Sequence, residues 1–234
     1  SGDHGAAEAV PAALDVLAQT PDLRLIIVGR GDVVRPLVAG ADPQRCRVVE
    51  ASEVVGMDEK PQEAVRRKKD SSMRVAINLV KQGEAAACVS AGNTGALLAT
   101  SRFVLGTVQG IDRPAIVSAV PAAHGHTVML DLGANPDCAA DHLVQFAVMG
   151  AVIASDLHGI ERPRIGLLNI GEEDIKGTEE LKAAHRVLSA APVNYVGFVE
   201  GNVIFSGGVD VVVTDGFTGN VALKTMEGLA RFIG

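Results

Sequence analysis

The stretch that decides the fold class runs from Leu23 to Gly29 and has the sequence LRLIIVG. Its apolar residues form a continuous run and do not alternate with polar ones, which is typical of a strand covered on both faces in a parallel sheet. Seven further segments share this apolar, β-prone character. These predicted strands span 47–50, 86–90, 115–120, 127–132, 164–169, 194–199 and 209–214.

Amphipathic helices are predicted between most of these strands, at 6–19, 72–82, 94–105, 141–157, 178–190 and 219–233. Strand–helix alternation of this kind indicates an α/β fold with a mainly parallel sheet and helices on both faces. One pair departs from the alternation, because only six residues separate the strands at 115–120 and 127–132, and a hairpin is expected there. We predict one α/β unit over residues 1–234, and the sequence marks no boundary between lobes.

Composition narrows the class of function. The chain is 47% hydrophobic and only 3% aromatic, and its formal net charge is −7, which argues against a nucleic-acid partner. Its three cysteines are far apart and form no zinc-binding or disulfide pattern. We expect no metal and no cofactor, with inorganic phosphate as a substrate. No signal peptide and no apolar run of roughly 20 residues are evident, and we expect a cytoplasmic protein.

Small and polar residues follow four of the predicted strands. Ligands of open α/β sheets bind beyond the carboxyl ends of the strands, so we expect these four loops to line one polar cleft. The alternative is that βα turns favour such residues in any case. The four loops are SAGNTG at 90–95, DLGAN at 131–135, NIGEE at 169–173 and TDGFTGN at 214–220.

The first of these loops leads directly into a predicted helix, which favours binding of a phosphate group at the helix N-terminus. The candidate phosphate-binding residues are Ser90, Gly92, Asn93, Thr94 and Gly95. The loop lacks the Lys-Ser/Thr ending of a P-loop. A less favoured alternative is a dinucleotide site at Gly29-Arg30-Gly31 with Glu50, where Val34 replaces the third glycine.

Charged residues supply further candidates. Four consecutive basic residues could bind phosphate or an acidic partner protein, although such a run is more often a solvated face. These residues are Arg66, Arg67, Lys68 and Lys69. His4 in a glycine-flanked turn and Lys176 beside three acidic residues could add local charge, although turn formation and helix capping would also explain them.

Taken together, these segments closely resemble the PlsX-type phosphate acyltransferase family, in the right order along the whole chain. The resemblance implies a fold like that of isocitrate and isopropylmalate dehydrogenases and phosphotransacetylases. Relative to that family the sequence is incomplete at both termini, since it lacks a first strand and a C-terminal part implicated in membrane contact. The matching stretches are GDHG at 2–5, EAVRRKKDSSM at 63–73, VSAGNTGA at 89–96, LDLGAN at 130–135, LNIGEE at 168–173, KG at 176–177 and DGFTGNV at 215–221.

The resemblance also implies an activity. Acyl-[acyl-carrier-protein] and inorganic phosphate would give acyl phosphate and free acyl carrier protein, the first step toward phosphatidic acid. The expected enzyme is a homodimer, peripheral at the inner face of the membrane, and it hands its product to a membrane glycerol-phosphate acyltransferase. The alternatives are a phosphotransacetylase that uses coenzyme A thioesters and a non-catalytic regulator that binds carrier protein.

Residue chemistry suggests a direct attack by phosphate on the thioester carbonyl, which requires donors for the developing oxyanion. Asn135, Asn169 and Asn220 are candidates to polarise the carbonyl, and Asp215 could orient a group or relay a proton. Cys138 is a less favoured candidate for a covalent nucleophile, since no base accompanies it at a fixed spacing.

Overall fold

The structure, a computed structural model, describes residues 2–234. The chain forms two compact units, of which the first ends at Gly106 and the second is Thr107–Gly234. The boundary between the two units is one that the sequence did not mark.

The first unit has a small parallel sheet and five helices. Strands β1 and β2 pair in parallel, from Leu25 opposite Cys46 to Gly29 opposite Glu50. In chain order the elements are α1 (Ala6–Gln19), β1 (Leu25–Gly29), α2 (Gly31–Leu37), β2 (Cys46–Glu50), α3 (Pro61–Arg67), α4 (Ser72–Lys81) and α5 (Thr94–Leu105).

Helices α3, α4 and α5 pack around a shared apolar cluster that includes Ala64, Ile77 and Ala96. Small residues allow α3 and α5 to lie close together, since a Cβ at Gly95 would be only 3.0 Å from Cγ of Pro61. The glycine at position 95 is therefore needed for helix packing, whatever else it does.

The second unit is a five-stranded sheet in the order β3-β4-β7-β5-β6. Strands β4, β7, β5 and β6 are parallel, and β3 forms an antiparallel hairpin with β4. In chain order the elements are β3 (Val117–Ala122), β4 (Gly125–Leu130), α6 (Ala140–His158), β5 (Ile165–Leu168), α7 (Glu179–Ala190), β6 (Tyr195–Val199), a 3₁₀ helix (Gly201–Phe205), β7 (Val211–Val213) and α8 (Gly216–Ile233).

Helices cover both faces of this sheet, as predicted. Val211 and Val213 of the central strand β7 are buried against α6 and α7, whereas Val212 between them faces the 3₁₀ helix and α8. Because both faces are covered, the inner strands β5 and β7 have no polar residue and are buried at every position, which is the continuous pattern seen in the sequence.

Most predicted elements are present, and the bounds of α1 and α5 are the same as predicted. The strand predicted at 86–90 is wrong. This segment pairs with no strand in the described part of the chain, and its apolar residue Val89 is 96% exposed. The sequence analysis also missed α2, α3 and the 3₁₀ helix, which are short and therefore weakly periodic.

Helix α6 is the longest helix of the second unit. It has 19 residues and is long and apolar enough, by length and composition, to cross a membrane. Its buried residues, among them Phe146, Ala147 and Gly150, lie in the core of the second unit against the sheet. Packing in the core thus accounts for the buried face of α6, while Val148, Val152 and Leu157 are exposed.

Candidate functional site

Three of the four predicted polar loops lie at one edge of the second unit's sheet. Strands β4, β7 and β5 are parallel neighbours, so the loops 131–135, 214–220 and 169–177 leave the same edge. The loops after β4 and β5 lead to α6 and α7 on one face, and the loop after β7 leads to α8 on the other. Such a divergence opens a crevice between loops, where α/β proteins bind ligands.

The fourth loop, 90–95, belongs to the first unit and follows no strand. The expectation that the four loops share one edge is therefore confirmed for three of them. That the fourth loop serves the same ligand stays a prediction.

Asp131 organises the loop after β4. Its fully buried carboxylate accepts hydrogen bonds from the backbone N–H groups of Ile116 (3.0 Å), Gly133 (3.2 Å), Ala134 (2.9 Å) and Asn135 (2.7 Å). It also accepts one from Nδ2 of Asn135 at 2.8 Å. This role of Asp131 was not predicted, although an Asp directly after a strand and two residues before a Gly is a known signal for a turn stabilised by its side chain.

The side chain of Asn135 is engaged within the loop. Its Nδ2 donates to Asp131 and to the carbonyl oxygen of Pro114 at 2.8 Å, so both of its amide N–H groups have acceptors. A role in polarising a substrate carbonyl would require one of these bonds to break. That role stays a prediction, and the hydrogen bonds count against it.

Helix α8 begins pressed against this loop. The N–H of Gly216 donates to the carbonyl oxygen of Asn135 at 2.8 Å, and a Cβ at Gly219 would overlap with the carbonyl oxygen of Asp131. Only glycine allows the two backbones to approach so closely. The glycines of the TDGFTGN stretch therefore hold the loops after β4 and β7 together.

Asp215 caps α8, and Asn220 remains open to solvent. The carboxylate of Asp215 accepts hydrogen bonds from N and Oγ1 of Thr218, both at 2.8 Å. The exposed side chain of Asn220 lies beside Gly133, where a Cβ would be 3.5 Å from it. Asn220 is thus placed to reach a ligand, whereas Asp215 already has a structural role.

Asn169 differs from both of its predicted companions. Its side chain is 8% exposed, and its Oδ1 accepts a hydrogen bond from the N–H of Ile170 at 2.9 Å. Its Nδ2 is the one buried side-chain nitrogen or oxygen without a hydrogen-bond partner among residues 2–234. A buried donor left unsatisfied costs about 1–3 kcal/mol, so this amide is expected to donate to an acceptor of a ligand.

The loop that follows Asn169 is exposed and charged. The loop has three acidic residues, Glu172, Glu173 and Asp174, and all three are exposed. Residues 2–234 contain no group of three candidate metal ligands. The exposed Lys176 forms no ion pair within the described chain, and its N–H donates to the carbonyl oxygen of Glu173 at 2.9 Å. The ammonium of Lys176 is therefore available to an anion.

A network that the sequence analysis missed connects this loop to the body of the unit. His185 of α7 contacts the hydroxyl of Tyr195 through Nδ1 at 2.8 Å and the carboxylate of Asp174 through Nε2 at 3.6 Å. Its ring stacks on Phe198, with the ring centroids 4.5 Å apart. Burial raises the pKa of Tyr195, and the charge of Asp174 adds to this effect, so the phenol stays protonated.

Cys138 lies near the same edge as a protonated thiol. Burial raises its pKa to about 11, and the negative charges of Asp131 and Asp215 act in the same direction. Its Sγ donates to the carbonyl oxygen of Asn135 at 3.4 Å. Because the thiolate is the reactive form, these surroundings disfavour Cys138 as a covalent nucleophile near neutral pH.

In the first unit, the side chain of Asn93 forms hydrogen bonds within the protein, as that of Asn135 does in the second unit. Its Oδ1 caps α5 by accepting from the N–H of Ala96 at 2.9 Å, and its Nδ2 donates to the carbonyl oxygens of Met57 and Glu59 at 2.8 and 2.9 Å. The N–H of Gly92 likewise donates to Oγ of Ser90 at 3.2 Å. The side chain of Asn93 thus holds the loop that precedes α3.

The groups of this loop that remain for phosphate are at the start of α5. Thr94 is exposed, and the first backbone N–H groups of a helix, here those of Thr94 and Gly95, have no acceptor within the helix. The turn that carries the exposed His4 lies against this loop, because a Cβ at Gly2 would be 3.0 Å from the carbonyl oxygen of Ala91. The structure therefore brings His4 and the 90–95 loop into one region of the first unit.

The basic run divides into two kinds of residue. Lys68 donates to the carbonyl oxygen of Val54 and to the carboxylate of Glu59, and this hydrogen bond lowers the pKa of Glu59. The other three residues are exposed and form no ion pair within residues 2–234. These are Arg66, Arg67 and Lys69.

The alternative of a dinucleotide site at Gly29-Arg30-Gly31 requires a free carboxylate at Glu50, and the structure does not provide one. Glu50 pairs with Arg35 at 2.9 Å, and a Cβ at Gly31 would contact the Glu50 carboxylate. The carboxylate that would bind a ribose hydroxyl is thus engaged with a guanidinium.

A cavity of about 580 Å³ in the second unit lies elsewhere. It is lined by residues at the amino ends of β5 and β6, such as Ile165 and Asn194, at the edge opposite the polar loops. None of the predicted site residues lines it. The candidate site at the carboxyl edge therefore rests on the chemistry of its side chains and not on this cavity.

Two solved structures define the class of fold. The EutD phosphotransacetylase from Staphylococcus aureus superposes with a TM-score of 0.67 at 16% identity, over 97% of this chain and 81% of that one. A branched-chain phosphotransacylase from Enterococcus faecalis V583 superposes with a TM-score of 0.58 at 18% identity, over 93% and 78%. The fold is thus that of the phosphotransacylases, as the resemblance implied.

Sequence comparison defines the family. The family model described as fatty acid synthesis protein matches residues 1–234. The phosphate acyltransferase of Methylococcus capsulatus is 61% identical over 99% of this chain and 69% of its own length, and that of Alkalilimnicola ehrlichii is 59% identical over the same shares. One from Pseudomonas putida is 56% identical over 100% and 70%. The chain therefore belongs to the phosphate acyltransferase family and is an enzyme of that class.

Proposed function

We propose that this phosphate acyltransferase takes its acyl group from acyl carrier protein and transfers it to inorganic phosphate. The products are acyl phosphate and free acyl carrier protein, which makes the reaction the first step toward phosphatidic acid. Neither a metal nor an organic cofactor takes part in this proposal. The enzyme acts as a homodimer in the cytoplasm, at the inner face of the membrane, and supplies a membrane glycerol-phosphate acyltransferase.

The observation that carries the proposed chemistry is the unpaired, buried amide nitrogen of Asn169 at the end of β5. A thioester carbonyl that accepts a hydrogen bond from this nitrogen satisfies the donor. The bond strengthens as negative charge develops on the oxygen during attack. Asn220 and Lys176, which are exposed on the loops at the same edge, supply a second donor and a positive charge.

The reaction needs no covalent intermediate on the enzyme. An oxygen of phosphate attacks the carbonyl carbon, the carbon–oxygen bond forms and the carbon–sulfur bond breaks. The leaving thiolate of the carrier protein takes up a proton. The raised pKa of Cys138, about 11, is consistent with a direct attack, because no thiolate is present at this edge near neutral pH.

The first unit offers further candidate residues for binding phosphate or carrier protein. The start of α5 and the exposed Thr94 favour an anion, and His4 lies in the turn against that loop. Arg66, Arg67 and Lys69 present three unpaired positive charges, which attract an acidic partner protein. The ion pair of Lys68 with Glu59 makes Lys68 a structural residue in this proposal.

A competing acyl donor is the coenzyme A thioester, because the fold is shared with phosphotransacylases. The test is to incubate the protein with long-chain acyl-[acyl-carrier-protein] or acyl-coenzyme A, each with and without inorganic phosphate. We expect loss of the carrier-protein thioester only when phosphate is present, with formation of acyl phosphate trapped by hydroxylamine. Turnover of the coenzyme A thioester alone would overturn the carrier-protein assignment, and carrier binding without turnover would indicate a regulator.

A further inference from the structure

A large aromatic side chain is exposed near the end of α5 in the first unit. Phe103 is 66% exposed, and the guanidinium of Arg74 from α4 lies over its ring, 4.8 Å from the ring centroid. The neighbouring residues Met73 and Val104 belong to the buried apolar cluster between these helices, so Arg74 and Phe103 meet on the outer side of that cluster. Aromatic side chains and arginine are the residue types enriched where proteins bind each other.

The guanidinium of Arg74 has no acceptor of its own. Within residues 2–234 it forms neither a hydrogen bond nor an ion pair, and its one polar contact is with the face of Phe103. A guanidinium that stacks on a ring keeps its N–H donors in the plane free for another group. A carboxylate of a partner is the acceptor whose geometry matches these donors best.

Further positive charge lies close to this pair in the sequence. Residues 60–74 contain six basic and two acidic side chains, hence a net charge of +4, in a chain whose net charge is −7. Three of the basic residues, Arg66, Arg67 and Lys69, are exposed and have no ion pair within the described chain. The segment is therefore a local positive patch on an acidic protein, and such a patch attracts an acidic partner.

Helix packing brings this charge to the end of α5 at which Phe103 lies. Helix α3 begins beside the start of α5, where a Cβ at Gly95 would be 3.0 Å from Cγ of Pro61. Helix α4 follows α3 after a connection of only four residues, and its first turn contains Arg74, which contacts Phe103. Between Pro61 and Arg74 the chain thus passes from one end of α5 to the other, and Lys69 in the connection lies near the second end.

We propose that acyl carrier protein docks on this surface, which we call the basic–aromatic face. It consists of Phe103 and Arg74 together with Arg66, Arg67 and Lys69. The inference rests on the proposed function, in which carrier protein is the acyl donor. Carboxylates of the acidic carrier protein pair with the free guanidinium and ammonium groups, and an apolar side chain of the carrier covers the exposed ring. A lipid surface would require a broader apolar face than one ring.

The position of this face along α5 fits a partner that delivers its acyl group on an arm. Acyl carrier proteins hold the acyl group at the end of a flexible phosphopantetheine arm, so the carrier itself docks at a distance from the reacting carbonyl. The candidate phosphate-binding groups lie at the start of α5, at Thr94 and Gly95, and Phe103 follows Thr94 by nine residues, which is about 14 Å along the helix axis. An arm that extends from the basic–aromatic face can therefore run along α5 toward the phosphate.

The experiment compares acyl-[acyl-carrier-protein] with the matching acyl-pantetheine, which lacks the protein, as donors for the enzyme and its Arg74→Glu, Phe103→Ala and doubly substituted variants. We expect KM for the carrier-protein donor to rise at least about tenfold in the double variant, with kcat and the rate with acyl-pantetheine nearly unchanged. Arg24→Glu is the matched control for charge, since Arg24 is exposed before β1 and has no ion pair within residues 2–234. An unchanged KM, or an equal loss with acyl-pantetheine, would overturn the proposal.

Direct binding separates this proposal from the one on which it rests. Carrier protein without its arm should bind the unsubstituted enzyme, measured by fluorescence anisotropy, with an affinity that falls as salt rises and is lost in the double variant. If neither this form nor the acylated carrier bound the unsubstituted enzyme, the proposed function would be contradicted, whereas equal binding to enzyme and variant would contradict only the docking face. Lys69→Glu provides the same test if the double variant does not fold.

Two controls test other occupants of the basic–aromatic face. Loss of binding to vesicles of anionic lipid in the double variant, with unchanged affinity for carrier protein, would assign the face to the membrane. A change of oligomeric state in sedimentation, again with unchanged affinity for carrier protein, would assign it to contact with a second copy of the chain. Either result would overturn the proposal.

Discussion

The loops after β4 and β5 leave the same edge of one sheet, yet they are built in opposite ways. In the loop after β4, Asp131 accepts five hydrogen bonds and both amide N–H groups of Asn135 have acceptors. In the loop after β5, the amide nitrogen of Asn169 has none, and Ile170 and Ile175 are exposed. The loop after β4, in which these polar groups all have hydrogen-bond partners, is a structural loop. The loop after β5, which has a buried donor without an acceptor, is where a ligand is expected.

The largest effect on stability is expected at Gly219, where α8 packs directly on the loop after β4. Gly219→Ala places a Cβ on the carbonyl oxygen of Asp131, a backbone atom that cannot move without disrupting the loop. We expect the free energy of unfolding of the second unit to fall by about 4 kcal/mol or more, as measured by denaturant titration.

Gly228→Ala is the matched control in the same helix, because nothing lies within 4 Å of a Cβ there. Alanine at an open helical position stabilises by up to about 1 kcal/mol. Equal effects of the two substitutions would contradict the close packing of α8 on the loop after β4.

The two asparagines should separate activity from stability. Asn169→Ala removes the donor to the carbonyl, and we expect kcat to fall about 10²–10³-fold. The free energy of unfolding should fall by no more than about 1 kcal/mol, since the one hydrogen bond lost is that from the N–H of Ile170 to Oδ1. Asn135→Ala removes bonds to Asp131 and Pro114, and we expect about 2 kcal/mol of lost stability instead. Steady-state kinetics and denaturant titration of both variants provide the check, and the reverse pattern would exchange the roles of the two loops.

A smaller effect on activity and stability is expected at His185, which contacts the exposed loop after β5 through Asp174. His185→Gln removes the contact with Asp174 and the ring that stacks on Phe198. We expect faster hydrogen exchange at residues 170–177 and a severalfold lower rate, with about 1 kcal/mol of lost stability. His158→Gln, at the far end of α6, serves as the control, and unchanged exchange in the His185 variant would show that the loop does not depend on this contact.

The smallest effect concerns Cys138. Because burial raises its pKa to about 11, alkylation by iodoacetamide should be slow at pH 8 and should accelerate only as the pH rises toward 11. The reagent rate is measured on the folded protein against a denatured control, whose thiols titrate near pH 8.5. We expect the Cys138→Ser variant to keep the activity of the unsubstituted enzyme. Loss of activity in this variant would instead indicate a covalent mechanism.

Much of the fold was predictable because apolar periodicity reports burial directly. The bounds of α1 and α5 followed from their helical patterns, and the antiparallel pair β3–β4 followed from a connection too short for a crossover. The prediction at 86–90 failed because a strand also needs a partner, and local sequence does not show whether one is in place. Val89 looks like a core residue in the sequence and is almost fully exposed in the structure.

The candidate site was predictable only as a set of loops. Asn93, Asn135, Asn169 and Asn220 are chemically identical in the sequence, and each follows or joins a small, polar stretch. The structure separates them by their hydrogen bonds: Asn93 and Asn135 have acceptors for their amide groups, Asn169 is buried without one, and Asn220 is exposed. His185 was missed because its partners lie on other elements. Asp131 accepts mainly from its own loop, so its role was within reach of the sequence as a turn signal.

The amino-acid sequence by itself determined the α/β class, the order of the elements and the family, since these depend on local patterns and on ordered motifs along the chain. Only the tertiary structure decided which polar groups are satisfied and which remain for a ligand. The reason is that a hydrogen bond such as that from Asn135 to Pro114 joins residues 21 positions apart, and its existence depends on how the strands are arranged. The apolar run Leu23–Gly29 is a further example. Its sequence predicts a strand, but only the tertiary structure shows that this strand pairs with β2.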